Sequence, residues 1–166
     1  MTIIGIDPAT RTGYATSSGV CGVWELRKHR LDERGLLLVR FGDHFAGLLA
    51  QCEPVSLVAI EAASFGANNR NTAAFHNELR GVARYVATLR GSIPVRELVP
   101  SSLKKYATGN GRADKRQMVA MARELGCPYD DDDIVDAWFL CRWGVDASSA
   151  NSGDEVARAT KTSAPF

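Results

Sequence analysis

Two apolar runs that each close on a carboxylate constrain this chain more than any other feature. Thr2-Ile3-Ile4-Gly5-Ile6 leads into Asp7, and Leu57-Val58-Ala59-Ile60 leads into Glu61. The first run is short and almost continuously apolar, as expected of a strand covered on both faces. A carboxylate at the end of a buried strand is costly unless it is paired or bound to a cation. Two more carboxylates, Asp133 and Asp136, open the apolar stretch Ile134 to Val145. Residues far apart in sequence can therefore meet in one acidic pocket. Such a pocket without a covalent nucleophile is a common way to hold magnesium against phosphate.

The first thirty residues read as a three-strand meander. Thr2 to Asp7 is followed by a turn at Pro8-Ala9-Thr10-Arg11-Thr12-Gly13, a strand from Gly13 to Thr16, a turn at Ser17-Ser18-Gly19, and a strand from Val20 to Leu26. Asp32 is placed to cap a helix from Glu33 to Cys52, with Leu37, Phe41, Phe45, Leu48 and Leu49 at helical spacing. Val55 to Ile60 forms a fourth strand. After a polar loop from Ser64 to Arg70, a helix runs from Asn71 to Arg90. Its positions Phe75, Leu79, Val82, Val86 and Leu89 make a narrow seam suited to another helix. Ile93 to Val99 is the fifth strand, and Pro100 opens a short helix bearing Lys104 and Lys105. Asp114 starts a helix ended by Gly126, and a last helix runs from Asp131 to Val145.

The order βββαβαβααα predicts an α/β fold. It is a mixed five-stranded sheet with helices on both faces, the first and fourth strands side by side. Open α/β sheets place ligand sites at the C-terminal ends of strands, where Asp7 and Glu61 sit. The length of 166 residues suits one domain, assigned to 1–147, with 148–166 expected to be a disordered tail of Ser, Ala, Thr and Gly. No run is long enough to span a membrane and no signal peptide is evident, so a cytoplasmic protein is expected, in a bacterium or a phage-infected host. Cys21, Cys52, Cys127 and Cys141 form no CxxC pair, which argues for reduced structural thiols over a zinc site.

Cleaving a phosphodiester needs an activated water and a stabilised leaving alkoxide, and two divalent ions about 3.5–4 Å apart can supply both. Asp133 and Asp136 share a helical face. That pair can grip one ion while Asp7 bridges and Glu61 holds the second. The acidic run Asp130 to Asp133 is also explained by the helix dipole, which favours acids in a first turn. The three-residue spacing to Asp136 favours Asp133, and an Asp132–Asp136 pair is the competing reading. His29, His44 and His76 show no ligand spacing.

These residues resemble a known family. Ile4-Gly5-Ile6-Asp7-Pro8 with Thr12-Gly13-Tyr14-Ala15 is similar to the opening of the RuvC-type Holliday-junction resolvases. Val58-Ala59-Ile60-Glu61 resembles their second acidic motif, followed by Leu79-Arg80-Gly81-Val82. Gly111-Arg112-Ala113-Asp114-Lys115-Arg116-Gln117-Met118 resembles their basic stretch, and Asp133-Ile134-Val135-Asp136-Ala137 their final DxxDA motif. The resemblance spans residue 1 to about 145. It implies an RNase H-like fold and a homodimeric endonuclease that resolves four-way DNA junctions by paired nicks. It also implies two Mg²⁺ per site, replaceable by Mn²⁺, held by Asp7, Glu61, Asp133 and Asp136. Ala9 stands where the family has glycine, the loop after Glu61 is one residue longer, and the aromatic near it is Phe65. These departures suggest a divergent member of phage or prophage type.

By the same resemblance Lys115 acts at the scissile phosphate, with Lys104 beside it. Lys105, Arg112 and Arg116 make a local basic patch for DNA, which Arg70, Arg80 and Arg84 extend. The net charge of only +1 means that any anionic partner is held locally. Phe65 either stacks on a base of an opened junction or folds into the core. The seam on the second helix is expected at the dimer interface. Rival readings are a flap or branched-DNA nuclease, an RNase H acting on hybrids, and a non-catalytic junction-binding module. An actin-like ATPase or sugar kinase would need a second domain. A helicase partner cannot be read from the residues.

Overall fold

The computed structural model describes residues 1–63 and 70–161, with side chains for residues 1–63 and 71–150. Five strands and five helices follow one another: β1 (Thr2–Asp7), β2 (Arg11–Thr16), β3 (Cys21–Glu25), α1 (Arg34–Gln51), β4 (Val55–Glu61), α2 (Arg70–Leu89), β5 (Val95–Leu98), α3 (Pro100–Thr108), α4 (Lys115–Glu124) and α5 (Asp132–Lys161). The sheet order is β3-β2-β1-β4-β5. The meander β1-β2-β3 is antiparallel, whereas β4 lies parallel to both β1 and β5. The expected mixed sheet, with β1 beside β4, is the observed one.

Side chains alternate across a strand, so each buried strand serves two cores. On one face Ile4, Ile6, Val58 and Ile60 pack against α1 and α2 through Leu37, Phe41, Phe45, Leu79 and Ala83, all fully buried or nearly so. Complete burial of each large apolar side chain contributes roughly 1.5–3 kcal/mol. The helical spacing of α1 is thus explained by this face. On the other face Ile3, Ala15 and Leu57 meet Ala137 and Cys141 of α5, and Ala59 meets Leu103, Val135, Phe139 and Leu140.

Two glycines let α5 lie directly on the sheet. A Cβ at Gly5 would overlap the carbonyl oxygen of Ala137, and one at Gly13 would overlap that of Asp133. Both positions therefore exclude any larger residue without moving the helix.

Several local expectations need correction. Asp32 does not cap α1. Its carboxylate accepts from the backbone N–H groups of Lys28 (2.8 Å) and His29 (2.9 Å) and from Arg40, tying down the preceding turn, and Glu33 is the N-cap residue without a side-chain bond. Asp114 does cap α4, in a reciprocal capping box with Gln117. The seam on α2 is mainly intramolecular. Phe75, Leu79 and Val86 are buried in the α1/α2 core, while Leu89 is 67% exposed. A narrow stripe of side chains fits an intramolecular helix neighbour as well as one from another chain, and here α1 takes that place. Helix α5 runs on to Lys161, through the segment expected to be a disordered tail. Too few apolar residues to build a core does not forbid helix, and the hydroxyls of Ser148 and Ser149 bond back to the carbonyls of Gly144 and Val145. Among the described residues no helix is long and apolar enough to cross a membrane, and all four cysteines are free thiols.

Candidate active site

The register of β1 against β4 assembles the acidic site. Ile6 stands opposite Ile60, so Asp7 and Glu61 follow side by side at the same end of the sheet. Residues 3 and 5 of β1 and 57 and 59 of β4 face α5. By the same alternation Asp7 and Glu61 project toward α5, and their side chains share a hydrogen bond. Helix α5 brings Asp132 and Asp133 in its first turn and Asp136 one turn further. The close approach permitted by Gly13 sets the N-terminal end of α5 against the strand end that carries Asp7.

The cost of this convergence is visible in protonation. Burial, followed by the fields of Glu61, Asp136 and Asp133, holds the Asp7 carboxyl well above the usual range. Burial and Asp136 push Glu61 up to about 7, and burial pushes Asp136 up to about 6. Lys104 counters both, its ammonium favouring the ionised carboxylates. The group fits a divalent cation in its donor chemistry, because the donors are hard carboxylate oxygens whose mutual repulsion and desolvation a cation would offset. Its present geometry is more open. Among the described residues no set of three or more His, Cys, Asp or Glu side chains is closed around a common point.

At the start of α5 one of the predicted ligands, Asp133, is engaged by another side chain. Arg11, at the head of β2, spreads its guanidinium over three carboxylates. It reaches Asp131 at 2.5 and 3.0 Å, Glu25 at 3.0 Å, and Asp133 in a short contact. Asp131 in turn accepts from the backbone N–H groups of Asp133 (3.1 Å) and Ile134 (3.4 Å), which satisfies orphan donors of the helix. Asp132 points elsewhere and pairs with Lys115. The field of Asp133 is felt by Asp7, and that of Asp132 by Asp136.

A family model described as crossover junction endodeoxyribonuclease RuvC matches residues 3–137. The chain belongs to the RuvC family. It is 35% identical over 133 residues to the crossover junction endodeoxyribonuclease RuvC of Salinispora arenicola, covering 75% of this chain and 74% of that relative. The RuvC of Anaeromyxobacter sp. strain K is 36% identical over 151 residues, with 82% and 76% covered. The solved structure of T. thermophilus RuvC in complex with Holliday junction substrate superposes with a TM-score of 0.70 at 21% identity, covering 85% of this chain and 90% of that one. The yeast mitochondrial Holliday junction resolvase Ydc2 superposes at 0.58 and 16% identity. The fold is RNase H-like, as the strand order led us to expect.

The basic residues of this RuvC-family chain divide into two groups. Lys104 on α3 is half-buried and close enough to act on Glu61 and Asp136, and Lys115 opens α4 beside Asp132. Lys105, Arg112 and Arg116 are exposed on the same side of the sheet, which α3, α4 and α5 cover. Arg80 is different. It is buried, paired with Glu97 at 3.1 Å and with Asn77, and its field lowers Glu61, so it is part of the protein interior rather than of an exposed patch. Arg84 shares Glu97 at 2.8 Å. Phe65 and the side chain of Arg70 lie outside the described residues. Of the histidines, His44 stacks on Trp24, and burial beside Arg80 pushes His76 down. Arg11 and Asp131 were missed from sequence. Arg11 was placed in the turn, yet β2 begins with it. Counting back from Gly13 at period two would have set it on the face toward α5.

Proposed function

We propose that this chain is a metal-dependent endonuclease that resolves four-way DNA junctions by paired, symmetric nicks. The observation that carries the reading is the convergence of Asp7, Glu61 and Asp136, three carboxylates from β1, β4 and α5, in a half-buried pocket where each resists ionisation. A protein gains nothing in stability from such a cluster, and the charge of bound cations is what offsets it. Its membership of the RuvC family names the phosphate, since its relatives are crossover junction endodeoxyribonucleases.

In this reading Asp7, Glu61, Asp133 and Asp136 hold two Mg²⁺ ions, which Mn²⁺ can replace. Asp7, which feels Glu61, Asp136 and Asp133 alike, would be the carboxylate shared between the two ions. Bound there, the ions supply an activated water and stabilise the leaving 3′-oxygen. The chain's own cations do the rest. Lys115 lies exposed at the head of α4, next to the acidic site, and offsets charge on the scissile phosphate. Lys104 favours the ionised forms of Glu61 and Asp136, which ligation would require, and would reach the same phosphate. Lys105, Arg112 and Arg116 track the flanking backbone, and Arg70 and Phe65 are assigned to DNA binding from the sequence in this reading.

Paired nicks need two sites related by a two-fold axis. The surface that supports a homodimer is the outer side of α1 and α2. There Leu38, Val39, Val82, Tyr85 and Leu89 line a groove of about 470 Å³, with Val39, Tyr85 and Leu89 well exposed. Residues 1–147 carry all these functions as one nuclease domain, and the cytoplasm is its expected compartment.

The test is cleavage of labelled four-way, flap, duplex and RNA–DNA hybrid substrates in Mg²⁺ or EDTA. Symmetric nicks confined to the four-way junction support the proposal. Preferential cutting of flaps or hybrids, or junction binding with no cutting at all, overturns it. Asp7→Asn is expected to abolish cleavage while junction binding persists.

A further inference from the structure

The contact between Arg11 and Asp133 has no role in the hydrolysis outlined above, yet it occupies one of the four carboxylates assigned to the ions. We propose that Arg11 is a positioning residue that competes with the cation for Asp133. The inference rests on the metal-site reading above and deepens it.

Three observations carry it. Arg11 lies on the same face of β2 as Gly13, directly under the first turn of α5, and its Nη1 is shared between Asp131 and Asp133. Asp133 is held by Arg11 while it stands close enough to the acidic site for its charge to act on Asp7. Arg11 also has somewhere to go. After release of Asp133 its Nη2 keeps Asp131 at 2.5 Å and its Nε keeps Glu25 at 3.0 Å, so the guanidinium is never left unpaired. Asp131 stays fixed by its bonds to the backbone of Asp133 and Ile134, so the turn of α5 need not unwind when Asp133 swings. A rotation of one side chain is therefore enough to pass Asp133 from guanidinium to cation. The charges point the same way, because a fixed positive group beside Asp133 repels a divalent ion whether or not the carboxylate is shared.

The arrangement has a function for a nuclease. It raises the metal concentration needed to complete the site and gives the apo protein a defined partner for a carboxylate that would otherwise add to the repulsion around Asp7.

The decisive experiment is calorimetric titration of the full chain with Mn²⁺, comparing the unmodified protein with Arg11→Met, Arg11→Lys and Asp7→Asn. Arg11→Met is expected to bind about three- to tenfold more tightly, the scale of a partly exposed charge pair. Its metal-free melting temperature is expected to fall, because Asp131, Asp133 and Glu25 lose their shared partner. Arg11→Lys keeps the charge, so its affinity should stay nearer the unmodified value, and it provides the comparison if Arg11→Met does not fold. Equal or weaker Mn²⁺ binding by Arg11→Met, or Arg11→Lys binding more tightly still, overturns the competition. Failure of the underlying metal site reads out separately, as no Mn²⁺ binding by the unmodified protein or undiminished binding by Asp7→Asn.

Discussion

Asp136→Asn is expected to stabilise the metal-free protein, by an amount that grows as pH rises from about 4 to about 6 and is constant above. The carboxyl ionises near 3.8 when unfolded and near 6 in the fold, because burial penalises its charge. Between those values the folded chain keeps a proton that the unfolded chain has lost, so stability falls as pH rises through this window. At about 1.36 kcal/mol per pKa unit, the full cost above the window is roughly 3 kcal/mol. The group is only half-buried and an asparagine amide needs hydrogen bonds of its own, so a net gain of about 1–2 kcal/mol is the reasonable expectation. For a chain of this size that is a rise of about 3–8 °C in melting temperature. The assay is thermal unfolding in EDTA at about pH 3.5 and pH 8. Near pH 3.5 the carboxyl is mostly protonated in both the folded and the unfolded chain, so the two proteins should melt nearly together there. Saturating Mg²⁺ should then reverse the ranking at pH 8, because only the unmodified site gains from the ion. A variant that melts lower in EDTA at pH 8, or shifts equally at both pH values, would refute the account of Asp136 as an uncompensated buried charge.

Two further outcomes follow from packing. Gly13→Ala drives a methyl group into the carbonyl of Asp133 and is expected to cost about 1–3 kcal/mol, whereas Gly47→Ala, a helical position with open space, should gain up to about 1 kcal/mol in chemical denaturation. Leu89→Asp, on the exposed rim of the α1/α2 groove, should leave the unfolding free energy of the chain within about 0.5 kcal/mol of unchanged and lower the mass seen by light scattering from dimer to monomer, while unchanged mass would place the two-fold axis elsewhere.

Much of the fold was legible because local rules and tertiary packing agree. The apolar runs of β1 and β4 are buried on both faces, and the spacing of Leu37, Phe41, Phe45 and Leu48 marks one side of α1. Asp114 with Gln117 is a capping box whose two members lie within one turn, so sequence contains all of it. Asp32 misled for the opposite reason. The 28–32 turn and Arg40 share its carboxylate, and nothing local says that they, rather than the first turn of α1, take it. The seam on α2 shows the same ambiguity at a larger scale, since the spacing of Phe75, Leu79 and Val86 does not name the surface they meet.

The sequence alone determined which residue types end β1 and β4, the period-two alternation that sends Asp7 and Glu61 to one face, and the helical spacing from Asp133 to Asp136. Those are properties of covalent geometry and of secondary structure, which repeat wherever the pattern occurs. Only the tertiary structure decided that Arg11 reaches across more than a hundred residues to Asp131 and Asp133, and that Arg80 is buried beside Glu97 instead of exposed. Both depend on how closely α5 and α2 approach the sheet. At α5 that distance is set by the absence of a Cβ at Gly5 and Gly13 and by the carbonyls of Ala137 and Asp133 above them. A glycine in a strand reads in sequence as a weak point; here it is the clearance that lets the first turn of α5 lie against the strand end that carries Asp7.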